Sequence, residues 1–168
     1  MNSQKTELID SSLFLGMHSV SEEIRVACKN YFIERLQLRV CISLEHVGSC
    51  DEIIWGYSRE LQDAYYPFMD TLHTVMKMQK FSYQEEELRI ALNDPNLRAL
   101  SMYDRLLIAL AKSRHKTVFT VNQKLLNQGD LPVSRPPLSA EKSFPNTLEQ
   151  LYQRSLKLRI PDSQLTSD

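Results

Sequence analysis

The sequence predicts an α/β fold with a central, mainly parallel sheet flanked by helices, followed by a C-terminal extension helix. Short β-rich runs alternate along the chain with longer segments whose apolar residues recur at helical spacing. Parallel strands need long crossover connections, which are usually helices, so this alternation is typical of a parallel sheet. The predicted ordered domain spans residues 1–130, and residues 131–168 form a proline-rich linker with an amphipathic helix.

The first half of the domain is predicted to run strand, helix, strand. Residues 8–16 begin with a short buried strand, whose polar residues emerge at its C-terminal end, and finish in a turn at Gly16. Ser19 and Glu22 have the spacing of a capping box, so a helix is expected over residues 20–38. Arg39–Ser43 is rich in strand-forming residues and predicts the second strand.

Two helices are expected next. The first covers Leu44–Trp55 and is interrupted by Gly48. Residues 61–76 then carry the longest helical apolar stripe of the chain, and Pro67 predicts a kink in that helix.

The last elements of the domain are a pair of helices and a strand. A shorter helix is expected between a capping box at Ser82 and a stop signal at residues 93–95. Ser101 caps a helix that is apolar on nearly every side, so this helix should be central. Residues 117–121 predict the third buried strand.

Proline dominates the segment after Gly129. Pro132, Pro136 and Pro137 should suppress regular structure over residues 131–145. Residues 147–159 then predict an amphipathic helix whose apolar stripe must be covered. We expect this helix to pack on its own domain, with docking across a homodimer as the alternative.

Composition excludes several classes of function. Twenty Lys and Arg against 21 Asp and Glu give a net charge of −1, so any nucleic-acid contact must use a local patch or a bound metal. Three cysteines without CxxC spacing argue against a disulfide framework and a cysteine zinc site. No apolar stretch approaches the ~18 residues of a membrane span, and the N-terminus does not have the pattern of a signal peptide. A cytoplasmic protein is therefore expected.

Three acidic residues are candidates for a metal site. Asp10 ends the first strand, Glu45 follows the second, and Asp104 begins the helix before the third. The carboxyl ends of parallel strands line one edge of a sheet, where ligands usually bind. Clustered carboxylates favour Mg²⁺ or Mn²⁺, and such a site activates water for phosphodiester hydrolysis. Each acid alone also fits a cap or a helix-dipole role, but their joint order favours a site.

At these residues the chain resembles the PIN domain family, which includes metal-dependent ribonucleases and the toxins of many bacterial toxin-antitoxin pairs. The resemblance extends from residue 8 to residue 126, and four motifs carry it in the family's order: residues 8–12, 42–45, 103–111 and 118–122. It implies a three-layer α/β/α fold and a nuclease that hydrolyses phosphodiester bonds.

The resemblance also assigns roles to single residues. It implies that Asp10, Glu45 and Asp104 are catalytic acids that coordinate the metal, with Ser11 or Ser12 beside the first as a substrate contact. Asn122 stands where the family has a fourth acid. An amide can still bind a metal through its carbonyl oxygen, but it brings no charge, which argues against a two-metal mechanism.

Three other groups of residues are candidates for a functional role, and each also has a structural explanation. Lys112, Arg114 and Lys116 form a compact basic run suited to phosphate contact, although cations at a helix C-terminus are expected in any case. Asp63, Asp70 and His73 share one helix face, which is read as solvated. The aromatic segment at residues 55–68 is read as core packing, with base stacking or a partner surface as alternatives.

Two functions are compatible with these features. The first is a metal-dependent endoribonuclease, with Asp10, Glu45 and Asp104 on Mg²⁺ or Mn²⁺ and Asn122 completing the shell or orienting water. The second is a catalytically weak or inactive PIN-like module that binds protein through its aromatic segment and C-terminal helix. The three acids favour the first function, and the neutral Asn122 favours the second. An antitoxin-like partner and a homodimer stay open.

Overall fold

The computed structural model describes residues 6–166, which form a five-stranded, all-parallel sheet flanked by helices. Residues 1–5 of the predicted domain and residues 167–168 of the predicted C-terminal extension lie outside the described residues. The strands are β1 Glu7–Ile9, β2 Arg39–Ser43, β3 Lys77–Phe81, β4 Val118–Phe119 and β5 Val133–Ser134. They are ordered β3-β2-β1-β4-β5 across the sheet.

Helices connect the strands, and several begin at a side chain that accepts a backbone N–H. The helices are α1 Ser11–Gly16, α2 Glu22–Glu34, α3 Leu44–Trp55, α4 Arg59–Val75, α5 Glu85–Asn93, α6 Met102–Ser113, α7 Gln123–Leu126 and α8 Asn146–Ser155. Caps of this kind are Asp10 on α1, Ser43 on α3, Ser58 on α4, Ser101 on α6 and Asn122 on α7. Each cap satisfies an N–H group that has no partner within its helix.

Alternating strand residues supply two hydrophobic cores, one on each face of the sheet. Ile9 and Ile42 face the core formed with α1, α2, α3, α4 and α8. Leu8 and Cys41 face the opposite core, which includes apolar residues of α6. Because successive side chains of a strand point to opposite faces, the sheet is covered on both sides. The three-layer α/β/α prediction is confirmed.

The sequence missed two strands. Lys77–Phe81 forms β3 at the sheet edge, where three of its five residues are exposed and no apolar run is needed. Val133–Ser134 forms β5 inside the stretch that was expected to lack regular structure. Pro132 lies just before this outer strand and contributes its carbonyl oxygen to the N–H of Val118, and a sheet edge tolerates proline in this way.

Some predicted element bounds were wrong for local reasons. The predicted turn after the first strand is α1, because Asp10 caps a helix there. The helix α2 begins after Ser21 rather than Ser19, and Ser19 instead forms a parallel bridge with Ile160. Gly48 does not interrupt α3. The extension helix α8 ends at Ser155, whose buried hydroxyl donates to the carbonyl of Tyr152.

The C-terminal extension packs on its own domain, as predicted. The helix α8 lies against α4, and its Tyr152 is fully buried in the main core. The extension also supplies acids to α2: the buried Lys29 ammonium lies 2.8 Å from Glu149 and 3.5 Å from Glu141. No helix among residues 6–166 has the length and apolar character needed to cross a membrane.

The burial of Lys29 beside Glu149 predicts that loss of this acid lowers the stability of the fold. Glu149→Gln should lower the free energy of unfolding by about 2–4 kcal/mol, since removing one partner leaves a buried charge under-compensated. The matched control is Glu85→Gln, which breaks the exposed pair between Glu85 and Arg89 at 2.9 Å. That change should cost about 0–1 kcal/mol. Urea unfolding measures both, and equal small losses would show that the buried pair does not hold the extension.

Candidate active-site cleft

Asp10 lies at the junction of three elements. It follows β1 and caps α1, where its carboxylate accepts the backbone N–H of Ser12 at 3.0 Å and the hydroxyl of Ser12. The hydroxyl of Thr120, which follows β4, donates to the other carboxylate oxygen. Ser12 Oγ also accepts the N–H of Val121 at 2.9 Å. These bonds tie the ends of β1 and β4 to the start of α1.

Asp10 is held in an environment that opposes its ionisation. Its side chain is buried, and the loss of solvation raises its pKa to about 6. Hydrogen bonds from Ser12 and Thr120 lower the pKa and offset part of that increase, while the charge of Asp104 raises it further. Asp104, in the first turn of α6 after the Ser101 cap, therefore lies within electrostatic reach of Asp10.

Asn122 occupies the same edge of the sheet. Its N–H donates to Thr120 Oγ1 at 3.0 Å, and its side-chain oxygen accepts the N–H of Lys124 at 3.0 Å. The first bond fixes Asn122 next to the hydroxyl that contacts Asp10, and the second caps α7. The residue in the fourth acidic position of the sequence pattern is thus built into the site.

A cleft of about 230 Å³ opens beside these residues. It is lined by Asp10, Ser11, Ser12, His46, Ser49, Glu52, Ile53, Tyr103, Asn122, Gln164, Leu165 and Thr166. The strand ends and α1 form one side, α3 and α6 contribute others, and the last described residues of the chain close the border. Gln164 is held there because Tyr57 donates its hydroxyl to the Gln164 side chain.

The structure does not gather Asp10, Glu45 and Asp104 into one three-residue metal cluster. No three His, Cys, Asp or Glu side chains within residues 6–166 lie close enough to hold a metal ion as a group. Of the three acids only Asp10 lines the cleft: Glu45 falls in the first turn of α3, Asp104 falls in the first turn of α6, and neither is part of the cleft lining. Burial raises the pKa of Tyr83, and the charges of Glu45 and Asp104 raise it further, so both acids lie near this ring.

A buried histidine contributes to the cleft, although the sequence favours an ordinary polar residue near the acidic edge at this position. His46 Nδ1 accepts the backbone N–H of Ser11 at 3.1 Å and pairs with the Tyr103 hydroxyl at 2.9 Å. Because Nδ1 is the acceptor, the proton of the neutral ring is on Nε2. Burial lowers the His46 pKa to about 3, so the ring stays neutral near neutral pH. The only sequence signal was adjacency, since His46 follows Glu45 and Tyr103 precedes Asp104.

The basic run predicted to contact substrate lies elsewhere. Lys112 forms an ion pair with Asp94 at 2.5 Å, and Lys116 donates to the Thr6 carbonyl at 2.9 Å. Thr6 precedes β1 whereas Asp10 follows it, so Lys116 and its neighbour Arg114 lie at the opposite edge of the sheet. The crossover helix α6 starts at the edge that carries Asp10 and ends at the other one.

The remaining candidates separate into exposed and packed residues. Asp63 forms an exposed pair with Arg59 at 2.8 Å, in keeping with a solvated face. Asp70 and His73 line a different cleft, beside Tyr65. In the aromatic segment Tyr65 and Phe68 are buried in the main core, and Trp55 is exposed.

Comparison with known proteins relates the chain to one family and to two solved structures. A sequence model described as "Family of unknown function (DUF6190)" matches residues 1–165. A chain of a toxin-antitoxin complex from Klebsiella pneumoniae aligns with a TM-score of 0.53 and 16% identity, covering 80% of this chain and 100% of that one. PAE2754 from Pyrobaculum aerophilum aligns with a TM-score of 0.55 and 16% identity, covering 92% and 91%. No curated protein matches the sequence.

The raised pKa of Asp10 predicts an unusual dependence of stability on pH. The folded state holds a proton on Asp10 more tightly than the unfolded chain, so Asp10 ionisation destabilises the fold as pH rises from about 4 to beyond about 6. Relative to Asp10→Asn, the wild type should lose about 2–3 kcal/mol between about pH 4 and about pH 7. Urea unfolding of both proteins measures this difference, and a constant difference would contradict the buried, ionisable carboxylate.

Proposed function

The chain belongs to the family of unknown function DUF6190, and we propose that it is a metal-dependent endoribonuclease, a hydrolase of phosphodiester bonds. The observation that carries the proposal is the pair Asp10 and Asp104, two buried carboxylates at the carboxyl edge of a parallel sheet, where the charge of Asp104 acts on Asp10. Ligands of open α/β sheets bind at this edge. Burying two acids together is costly, and a bound divalent cation would offset that cost.

The donor set suits one hard cation rather than two. Mg²⁺ is commonly bound through one or two carboxylates, with waters and substrate phosphates completing its shell. Asp10 and Asp104 would hold such an ion, and the neutral Asn122 would contribute at most a carbonyl oxygen. Glu45 takes no part in this set. A bound Mg²⁺ or Mn²⁺ supplies charge that lowers the pKa of a water and shields the scissile phosphate.

The chain's own groups position the reacting parts. Ser12 and Thr120 direct their hydroxyl protons at Asp10, which leaves that carboxylate fixed rather than free to rotate. Ser11 and Tyr103 fix the ring of His46 in the wall of the cleft, and its Nε2 is buried without a partner among the described residues. The cleft therefore presents the oxygens of Asp10 to a cation beside a wall that His46 holds rigid.

The likenesses support this assignment. Four motifs of the chain resemble the PIN family, which includes metal-dependent ribonucleases, and the fold is shared with a chain of a toxin-antitoxin complex. The relation to that complex also supports a protein partner of the antitoxin type.

A second function is favoured by one specific observation. The described residues contain no cluster of three metal-binding side chains. A PIN-like module that binds protein without catalysis would need no such cluster. The two functions differ in whether a divalent ion changes the protein's stability and whether RNA is cleaved.

Cleavage of a fluorogenic oligoribonucleotide in Mn²⁺ or Mg²⁺ tests the proposal. Asp10→Asn should lower the rate on the order of 100-fold, since it removes a charge from the metal-binding pair, and Mn²⁺ should raise the melting temperature of the wild type but not that of Asp10→Asn by mass action. Asp63→Asn, an equal change of charge on an exposed residue, should leave both readouts at the wild-type level.

The role of Glu45 provides an internal comparison. Glu45→Gln should retain the Mn²⁺ effect on melting temperature, because the proposed ion is held by Asp10 and Asp104 without a third acid. Absence of cleavage and of any Mn²⁺ effect in the wild type would overturn the nuclease proposal and favour the protein-binding module.

A further inference from the structure

The edge of the sheet opposite Asp10 is basic. Two clefts of about 460 Å³ and about 510 Å³ share Thr6 and Glu7 there. Five cations line them and define what we name the basic edge: Arg35, Arg39, Lys77, Arg114 and Lys116. With a net charge of only −1 over the whole chain, this concentration is a local feature of the tertiary structure.

Some cations of the basic edge have structural partners. Arg35 forms an ion pair with Glu7, and it donates to the carbonyl of Tyr31 near the end of α2. Lys116 donates to the Thr6 carbonyl. Helix C-termini favour cations, so these contacts account for the positions of the two side chains.

Arg39 and Lys77 have no such explanation. They are register partners in the neighbouring parallel strands β2 and β3, so their Cα atoms are about 4.8 Å apart and their side chains leave the same face. Both side chains are exposed, and neither forms an ion pair with another described residue. Like charges placed opposite each other destabilise a sheet, and a phosphate group between them would reverse the sign of that interaction.

The acids near this edge do not neutralise it. Glu7 is engaged by Tyr31 and Arg35, and Glu34 is engaged by Lys142 and Arg35. Arg114 lies over the ring of Phe81 and contacts Glu87 only at 3.8 Å. The two clefts together therefore present a row of positive charge along one side of the sheet.

We infer that the basic edge binds the phosphate backbone of single-stranded RNA. The choice of RNA rests on the proposed function, but the binding requires neither a metal ion nor cleavage. Contacts of this kind are made to phosphates, so affinity is independent of sequence and falls steeply with salt. The basic edge would hold an RNA strand, and cleavage of that strand would occur at the separate cleft that contains Asp10. The two edges are separated by the length of β2, about 13 Å from Arg39 to Ser43.

Fluorescence anisotropy with a labelled single-stranded oligoribonucleotide in EDTA tests the inference without catalysis. The double variant R39Q/K77Q should weaken binding about 10-fold or more at low salt and reduce the slope of log Kd against log salt by about 1.4, which corresponds to two lost phosphate contacts. The control R59Q/R89Q removes the same charge from exposed cations outside the basic edge. It should change the affinity less than about 2-fold.

The melting temperature gives a second readout. Lys77→Gln should raise the melting temperature of the free protein, because it removes the repulsion from Arg39, while it weakens RNA binding. A purely structural lysine would not combine a gain in stability with a loss of binding. Equal affinities of R39Q/K77Q and R59Q/R89Q would overturn the inference, as would a lower melting temperature together with unchanged binding.

The outcomes separate this inference from the proposed nuclease activity. If RNA binds through the basic edge but is never cleaved in Mn²⁺, the proposed nuclease activity is overturned and the RNA-binding inference stands. If R39Q/K77Q cleaves RNA and binds it with unchanged affinity, the RNA-binding inference is overturned and the proposed nuclease activity stands. Displacement of RNA by inorganic phosphate at an equal phosphate concentration would show a single anion site and would also overturn the backbone-binding inference.

Discussion

The buried carboxylate of Asp10 is the point on which the fold and the candidate site both depend. Its oxygens accept the hydroxyl protons of Ser12 and Thr120, so β1, α1 and β4 meet at one residue. The same burial raises its pKa to about 6 and makes ionisation costly. An apolar residue in place of Asp10 would remove that cost, but the hydroxyls of Ser12 and Thr120 would then need other acceptors. The arrangement is therefore a structural junction that keeps an ionisable carboxylate at the cleft.

A second constraint makes the C-terminal extension part of the domain. The helix α2 buries Lys29, and Arg25 is also nearly buried. The acids that compensate these cations come largely from the extension, through Glu141 and Glu149. Tyr152 adds a hydroxyl that accepts from Arg25 and a ring that packs in the main core. The extension ends at the cleft, where Gln164 and Leu165 form part of the border. Packing of α8 and the shape of the site are therefore coupled.

The polarity of a parallel sheet separates two kinds of surface. All strands run the same way, and the crossover helices run back, so one edge collects strand ends and helix starts while the other collects helix ends. Carboxylates and helix caps gather at the first edge, as in Asp10 and Asp104. Cations such as Arg35 and Arg114 gather at the second. Because this separation follows from topology, residues distant in sequence share an electrostatic environment.

The sequence by itself determined the α/β class, the parallel sheet, the Ser101 cap of α6 and the positions of Asp10 and Asp104 at strand and helix ends, because periodicity and caps are local signals. It did not determine β3 and β5, since edge strands need no apolar run. The tertiary structure alone decided that neither Glu45 nor Asp104 lines the cleft, that His46 does and that Lys116 lies at the opposite edge. Those outcomes depend on the rotation of each helix about its axis and on the direction in which it crosses the sheet. A side chain's distance from residues far along the chain is set by packing, which no local pattern encodes.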